Sequence, residues 1–138
     1  MHKLARFGHR WIALASILAA IAIGLGAFGA HGLEDQLNAD QLSTFDTGVK
    51  YHFYHAFALL ITALLSGFLP SIDLRWVVRL FLLGIVCFSG SLYLLSTASL
   101  HSLPVGILGP ITPLGGLLLI MGWILLFLKV VRSTPIES

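Results

Sequence analysis

The chain alternates between long apolar runs and short polar breaks. Four runs, at about residues 11–31, 51–69, 76–98 and 111–129, are each long enough to cross a bilayer as a helix. The first, Trp11 to Ala30, carries no charge in twenty residues and spans roughly 30 Å, one hydrocarbon core. Pro70 closes the second run. Pro110 and Pro113 suit the first turn of the fourth, where their missing backbone donors cost little. Glu34 to Lys50 is the one long polar stretch. Within it Asn38 and Gln41 have the spacing of a capping box, and Leu42, Phe45 and Val49 recur at intervals of three and four. Asp46 and Lys50 sit four apart on another face. This pattern predicts a short amphipathic helix over about 38–49 on the membrane surface, with Gly48 marking a bend into the second span.

Small residues follow the same periodicity. Ala15, Ala19, Ala22, Gly26 and Ala30 share one face of the first span. In lipid, where apolar side chains gain little by leaving the solvent, small residues let helix backbones approach closely. Close helix contact is therefore expected at Gly26, Gly29, Gly48, Gly90, Gly115 and Gly116, either within the chain or at a seam between copies.

Composition narrows the classes. Of 138 residues 57% are hydrophobic and 10% charged, with a mean hydropathy of +0.94. Soluble domains carry about 25% charged residues. A bilayer is the natural solvent for this chain, and its length allows a single all-α domain, a four-transmembrane-helix bundle. The basic arm before Trp11 also suits a secretory signal, but the apolar run exceeds the roughly 7–15 residues of such a segment, so an uncleaved first span is expected. Cys87, the single cysteine, lies inside an apolar run and is expected to pack as a small hydrophobe. No basic stripe interleaved with aromatics points to nucleic acid. The Gly109–Gly116 segment has two prolines and no lysine, so it is no phosphate-binding loop. Ser89, Ser91, Ser96 and Ser99 have no neighbouring base, and Gly90-Ser91 lacks the context of a nucleophile elbow. No catalytic residue and no cofactor are assigned.

Charge also sets an expected orientation. With the N-terminus in the cytoplasm, seven of the eight lysines and arginines lie inside and Lys50 alone lies outside. Both termini are then cytoplasmic, and the tail after Arg132 is short enough to fray. This orientation brings His31, His52, His55 and His101 to the outer side. An ionisable residue below a membrane surface is by default a candidate for function. His55 is the sharpest, about 6 Å below Tyr51 along a helix and on the same face. The predicted site is an outer polar pocket where His31, Tyr51, His55 and Thr112 converge. Three chemistries compete there. Zinc or copper would need three or four convergent ligands, and no tight metal motif is present. A proton-linked or hydrogen-bonding site could greet a quinone or lipid head group. Alternatively, each imidazole simply pairs with a neighbouring carbonyl or hydroxyl where helices meet.

A set of motifs then carries a resemblance. GAFGAHGL at residues 26–33, Thr47-Gly48 followed by Tyr51 and His55, Phe88-Ser89-Gly90-Ser91-Leu92-Tyr93, and Thr112-Pro113-Leu114-Gly115-Gly116 with Gly122-Trp123 resemble the family known as domain of unknown function 423, related to the eukaryotic transmembrane protein 256. The resemblance covers nearly the whole chain. It implies a multi-pass protein of the bacterial inner membrane and supplies no activity. Its motif positions here are His31, Gly48, Tyr51, His55, Ser89, Ser91, Tyr93, Thr112 and Pro113. His52 and His101 fall outside the pattern, which weighs against a four-histidine metal site. The expectation is a non-enzymatic accessory or assembly protein, in contact with the lipid bilayer, that packs against a larger membrane complex or its own copies. The alternatives are a binding protein for an amphipathic molecule (a quinone or phospholipid) around His31 and His55, and a membrane enzyme using His55.

Overall fold

A computed structural model describes His2–Ser133, with side chains from Gly8 onward. The side chains of Lys3 and Arg6 and the expected frayed tail, residues 134–138, lie outside the described residues. The chain forms a four-helix membrane bundle. Helix α1 covers His2–His31, α2 Ala39–Phe68, α3 Arg75–Gly84, α4 Gly90–Ser96 and α5 Leu108–Val131. A single π-helical turn, Ile85–Ser89, joins α3 to α4, so that Arg75–Ser96 forms one continuous span. A 3₁₀ turn, Ala98–Leu100, leads into the last loop.

From Ala39 onward the polar stretch is helical, but it is not a separate surface helix. It forms the first third of α2, which runs 30 residues without interruption through Gly48. The capping box starts it: Asn38 accepts from the Gln41 backbone N–H at 2.9 Å, and Gln41 Oε1 accepts from the Asn38 backbone N–H at 3.0 Å. At about 45 Å the helix exceeds a hydrocarbon core by several turns. The reason for the continuity is that the apolar stripe finds its partners within the chain. Phe45 is buried against Leu33 and Leu37, with Leu25, Leu42, Val49 and Tyr93 around them, so no lipid surface is needed to cover it. Gly48 causes no bend. A Cβ there would stand 3.0 Å from Tyr93 Cε1, so its glycine makes room for the tyrosine ring.

The larger core lies toward the opposite end, where Leu59, Leu74, Val77, Phe81 and Leu119 are buried with Ala15 and Ala58. Helix α5 reaches backbone contact with the π turn. A Cβ at Gly115 would collide with the main chain of Phe88, one at Gly84 with Leu119, and one at Gly122 would lie 2.7 Å from the Phe81 ring. Along the α1–α2 seam, a Cβ at Gly29 would lie 2.9 Å from the Phe45 ring and one at Gly26 3.3 Å from Val49 Cγ1. Gly116 has ordinary contact with Phe88 at 3.6 Å. Gly90 is a correction to the expected packing set. A Cβ there would meet open space, because the π turn rotates it off the helix–helix seam.

The helices are unequally covered. In the most apolar stretch of α1 and of α5, 17% of residues are buried, against 44% in α2 and 39% in the α3–α4 span. The two flanking helices therefore present most of their surface to the surroundings.

Candidate functional site

The site is built around His55, 6% exposed and four residues along α2 from Tyr51. Its Nδ1 lies 2.8 Å from the Tyr51 carbonyl, and the indole Nε1–H of Trp123 on α5 donates to its Nε2 at 3.1 Å. A carbonyl can only accept and an indole N–H can only donate. Together they fix one neutral tautomer, protonated at Nδ1, and leave neither nitrogen free. The Tyr51 ring stacks over the imidazole at 6.1 Å and 14°, Phe81 closes a third side at 5.7 Å, and Phe81 meets Trp123 edge-on at 5.1 Å. An uncharged, doubly bonded imidazole in an aromatic cage is the form that burial in an apolar medium favours.

The predicted convergence is only half realised. Tyr51 and His55 come together; Thr112 and His31 do not join them. Thr112 shares a 2.7 Å hydrogen bond with Ser91 and donates to the Leu108 carbonyl at 3.1 Å. It stands eleven residues before Trp123, about 16 Å along α5 from the indole that holds His55. His31 is exposed at the end of α1. Gly29 lies beside Phe45, so His31 stands level with the first turns of α2, roughly 15 Å above His55. Both displacements have the same cause. Helix α2 begins at Ala39, so His55 lies about 24 Å along it, well below the helix ends that carry His31 and Thr112.

Two further histidines have structural partners. His52, 4% exposed, bonds through Nδ1 to the Tyr93 hydroxyl at 3.0 Å. The Leu18 carbonyl of α1 approaches the ring, but Nε2 has no partner at hydrogen-bond distance. His101 folds its loop back: Nε2 lies 3.1 Å from the Leu94 carbonyl, and Nδ1 accepts from the Leu103 backbone at 3.2 Å. Sequence reasoning missed Trp123 as the partner of His55 and Tyr93 as the partner of His52. The one available signal was that an indole N–H or phenol inside a span needs an acceptor. Among the described residues no group of three His, Cys, Asp or Glu side chains is arranged to hold a metal ion. The hydroxyl of Ser91 bonds to Thr112 and the Phe88 carbonyl, and Ser96 to the Tyr93 carbonyl. The buried Ser89 hydroxyl has no hydrogen-bond partner, and so no base to activate it.

A groove of about 310 Å³ lies between the end of α1 and the start of α2. Gly26, Gly29, Phe45 and Val49 form its apolar wall, and Glu34 and Asp46 bring carboxylates to it. Asp46 is paired with Lys50 at 2.7 Å. Neither His31 nor His55 lines this groove.

An all-α, four-span bundle with this imidazole–indole link defines a small multi-pass membrane protein. The chain belongs to the family described as Protein of unknown function (DUF423), whose model matches residues 25–116. It is 45% identical over 116 residues to a UPF0382 membrane protein of Staphylococcus saprophyticus, covering 84% of this chain and 92% of that one. It is also 45% identical over 123 residues to the UPF0382 membrane protein YwdK of Bacillus subtilis, covering 88% and 96%. No solved structure matches the chain.

Proposed function

We propose that this is a non-enzymatic accessory or assembly protein that packs against a larger membrane complex or against its own copies. The observation that supports this most is the state of His55. The imidazole best placed for chemistry inside the bundle has both nitrogens engaged, Nδ1 with the Tyr51 carbonyl of its own helix and Nε2 with Trp123 of α5. A general base or a metal ligand needs a free lone pair. The flanking helices α1 and α5, least covered by the rest of the chain, offer the faces for a partner. The membrane would be the bacterial inner membrane with both termini cytoplasmic, a reading supported by the bias of seven in eight lysines and arginines. Purification from native membranes in a mild detergent, with mass spectrometry of everything retained, tests it. A protein partner or a second copy in constant ratio is expected. A lone chain after cross-linking in intact membranes would overturn it.

A second reading is a binding protein for an amphipathic small molecule such as a quinone or phospholipid. The groove between α1 and α2 favours it, with an apolar wall and carboxylates at its rim. The candidate residues move accordingly from His31, Tyr51, His55 and Thr112 to Glu34, Phe45 and Asp46. A bound small molecule that is lost in Glu34→Gln and Asp46→Asn, with the fold intact, would support this reading over the first.

A further inference from the structure

We propose that the opposite, basic end of the bundle holds the headgroup of an anionic, hydroxyl-bearing phospholipid of the phosphatidylglycerol class, between the last turn of α5 and the turn that joins α2 to α3. A cavity of about 370 Å³ lies there. Leu125, Leu128, Lys129 and Arg132 line one wall, and Ser71 and Asp73 face them from the turn. The spacing of the α5 residues is i, i+3, i+4, i+7, one continuous helical stripe. Its apolar members point back along the span toward the bilayer, and its cations sit at the end, where a headgroup phosphate would lie.

The charges of the cavity are unequally engaged. Asp73 is held by Arg75 through two parallel contacts, Nε to Oδ1 at 2.9 Å and a terminal guanidinium nitrogen to Oδ2 at 3.0 Å, and also accepts the Arg75 backbone N–H at 3.0 Å. Lys129 and Arg132 have no ion pair among the described residues. Two of the terminal carbonyls of α5, which would repel an anion, are already occupied. The Arg132 N–H donates to the Leu128 carbonyl at 3.1 Å, and the Ser133 hydroxyl donates to the Val130 carbonyl at 2.6 Å. An anion between Lys129 and Arg132 therefore meets a net positive wall, since the Asp73 carboxylate is already paired with Arg75. Basic pockets of this kind between helices bind anionic headgroups. The presence of Asp73 selects among them. A carboxylate repels a second phosphate but accepts hydrogen bonds from glycerol hydroxyls, and Ser71 adds a further donor and acceptor. The leucines below the cations favour a lipid over free phosphate.

The test uses the whole protein in a neutral detergent, with native mass spectrometry after adding phosphatidylglycerol, phosphatidic acid, phosphatidylcholine or inorganic phosphate. Phosphatidylglycerol should be retained at least tenfold better than phosphatidylcholine, and better than phosphatidic acid, which lacks the hydroxyls. Lys129→Gln with Arg132→Gln should lower its retention about tenfold while helix content and Tm hold. Either single variant should give a smaller loss in the same direction. Asp73→Asn should erase the preference over phosphatidic acid. Arg79→Gln, at the same end but stacked on Trp76, should leave retention unchanged. Equal retention of phosphatidylcholine, an unaffected double variant, an equal loss in Arg79→Gln, or displacement of the lipid by excess inorganic phosphate would each overturn the proposal.

Discussion

At the scale of single residues, the molecule is organised by where polar atoms find partners in an apolar medium. His55 shows this best. Its link to Trp123 joins residues 68 apart in sequence, and each side chain supplies what the other lacks. His55→Leu should leave the indole donor unpaired and destabilise the protein by about 1–3 kcal/mol, whereas His55→Gln, which restores a donor and an acceptor, should recover much of the loss. A double-mutant cycle with Trp123→Phe should show positive coupling, because the double variant strands no partner. Thermal melts in detergent measure all four proteins, and strictly additive losses would refute the link. Asp73 gives a prediction about pH. The hydrogen bonds from Arg75, its side chain foremost, hold the Asp73 carboxyl at about 2, below its ordinary value of 3.8. A depressed carboxyl contributes stability above its unfolded pKa and loses it as pH falls through the folded one. The Tm gap between the parent and Asp73→Asn should therefore be constant above pH 5 and close between pH 4 and about 2. The gap should be small, because the pair is exposed to screening solvent.

At the scale of elements, glycines decide how closely helices pass. Gly115→Ala should be costly, about 1–3 kcal/mol, because the added methyl meets the backbone of Phe88 rather than a side chain that can rotate away. Gly26→Leu should lower the Tm as well, since Val49 Cγ1 already stands 3.3 Å from where its Cβ would lie, while Ile23→Leu on the exposed face is the tolerated control. Gly90→Ala should be neutral or slightly stabilising, since its Cβ meets nothing and alanine favours the helix by about 0.5–1 kcal/mol. A Gly90→Ala protein that melts as low as Gly115→Ala would contradict the placement of the π turn. That turn adds a residue between α3 and α4, which brings Phe88 to face Gly115 while Gly90 rotates outward.

At the scale of the whole molecule, the uneven charge distribution is the main asymmetry. One end carries Arg75, Arg79, Lys129 and Arg132; the other carries Glu34, Asp35, Asp40 and Asp46 around Lys50. In a Cys87→Ser background, a cysteine at Asp40 should react with an impermeant thiol reagent on intact cells and one at Ser133 should not. The reverse pattern would invert the orientation. The exposed flanks of α1 and α5 are where bulky substitutions should change assembly without changing the melting of the isolated chain. Ile17 and Ile124 are two such positions, 54% and 53% exposed.

The sequence by itself determined whatever depends on local pattern. The lengths of the apolar runs set four spans, because a hydrocarbon core demands about 20 apolar residues per helix. Asn38 and Gln41 set the start of α2, because a capping box closes within four residues. Tyr51 and His55 were legible as neighbours for the same reason, both lying on one helix. Only the tertiary structure decided which faces of different helices meet. It placed Trp123 rather than His31 or Thr112 beside His55, and gave Thr112 to Ser91. It put Gly84 and Gly122, and not Gly90, at close helix contacts, and set Gly90 just after a π turn that no local pattern announces. It also fused the amphipathic stretch into α2, because Phe45 found Leu33, Leu37 and Tyr93 rather than lipid. Periodicity fixes the angle of a residue about its own helix axis; the rotation of one helix against the next comes from packing across the whole bundle.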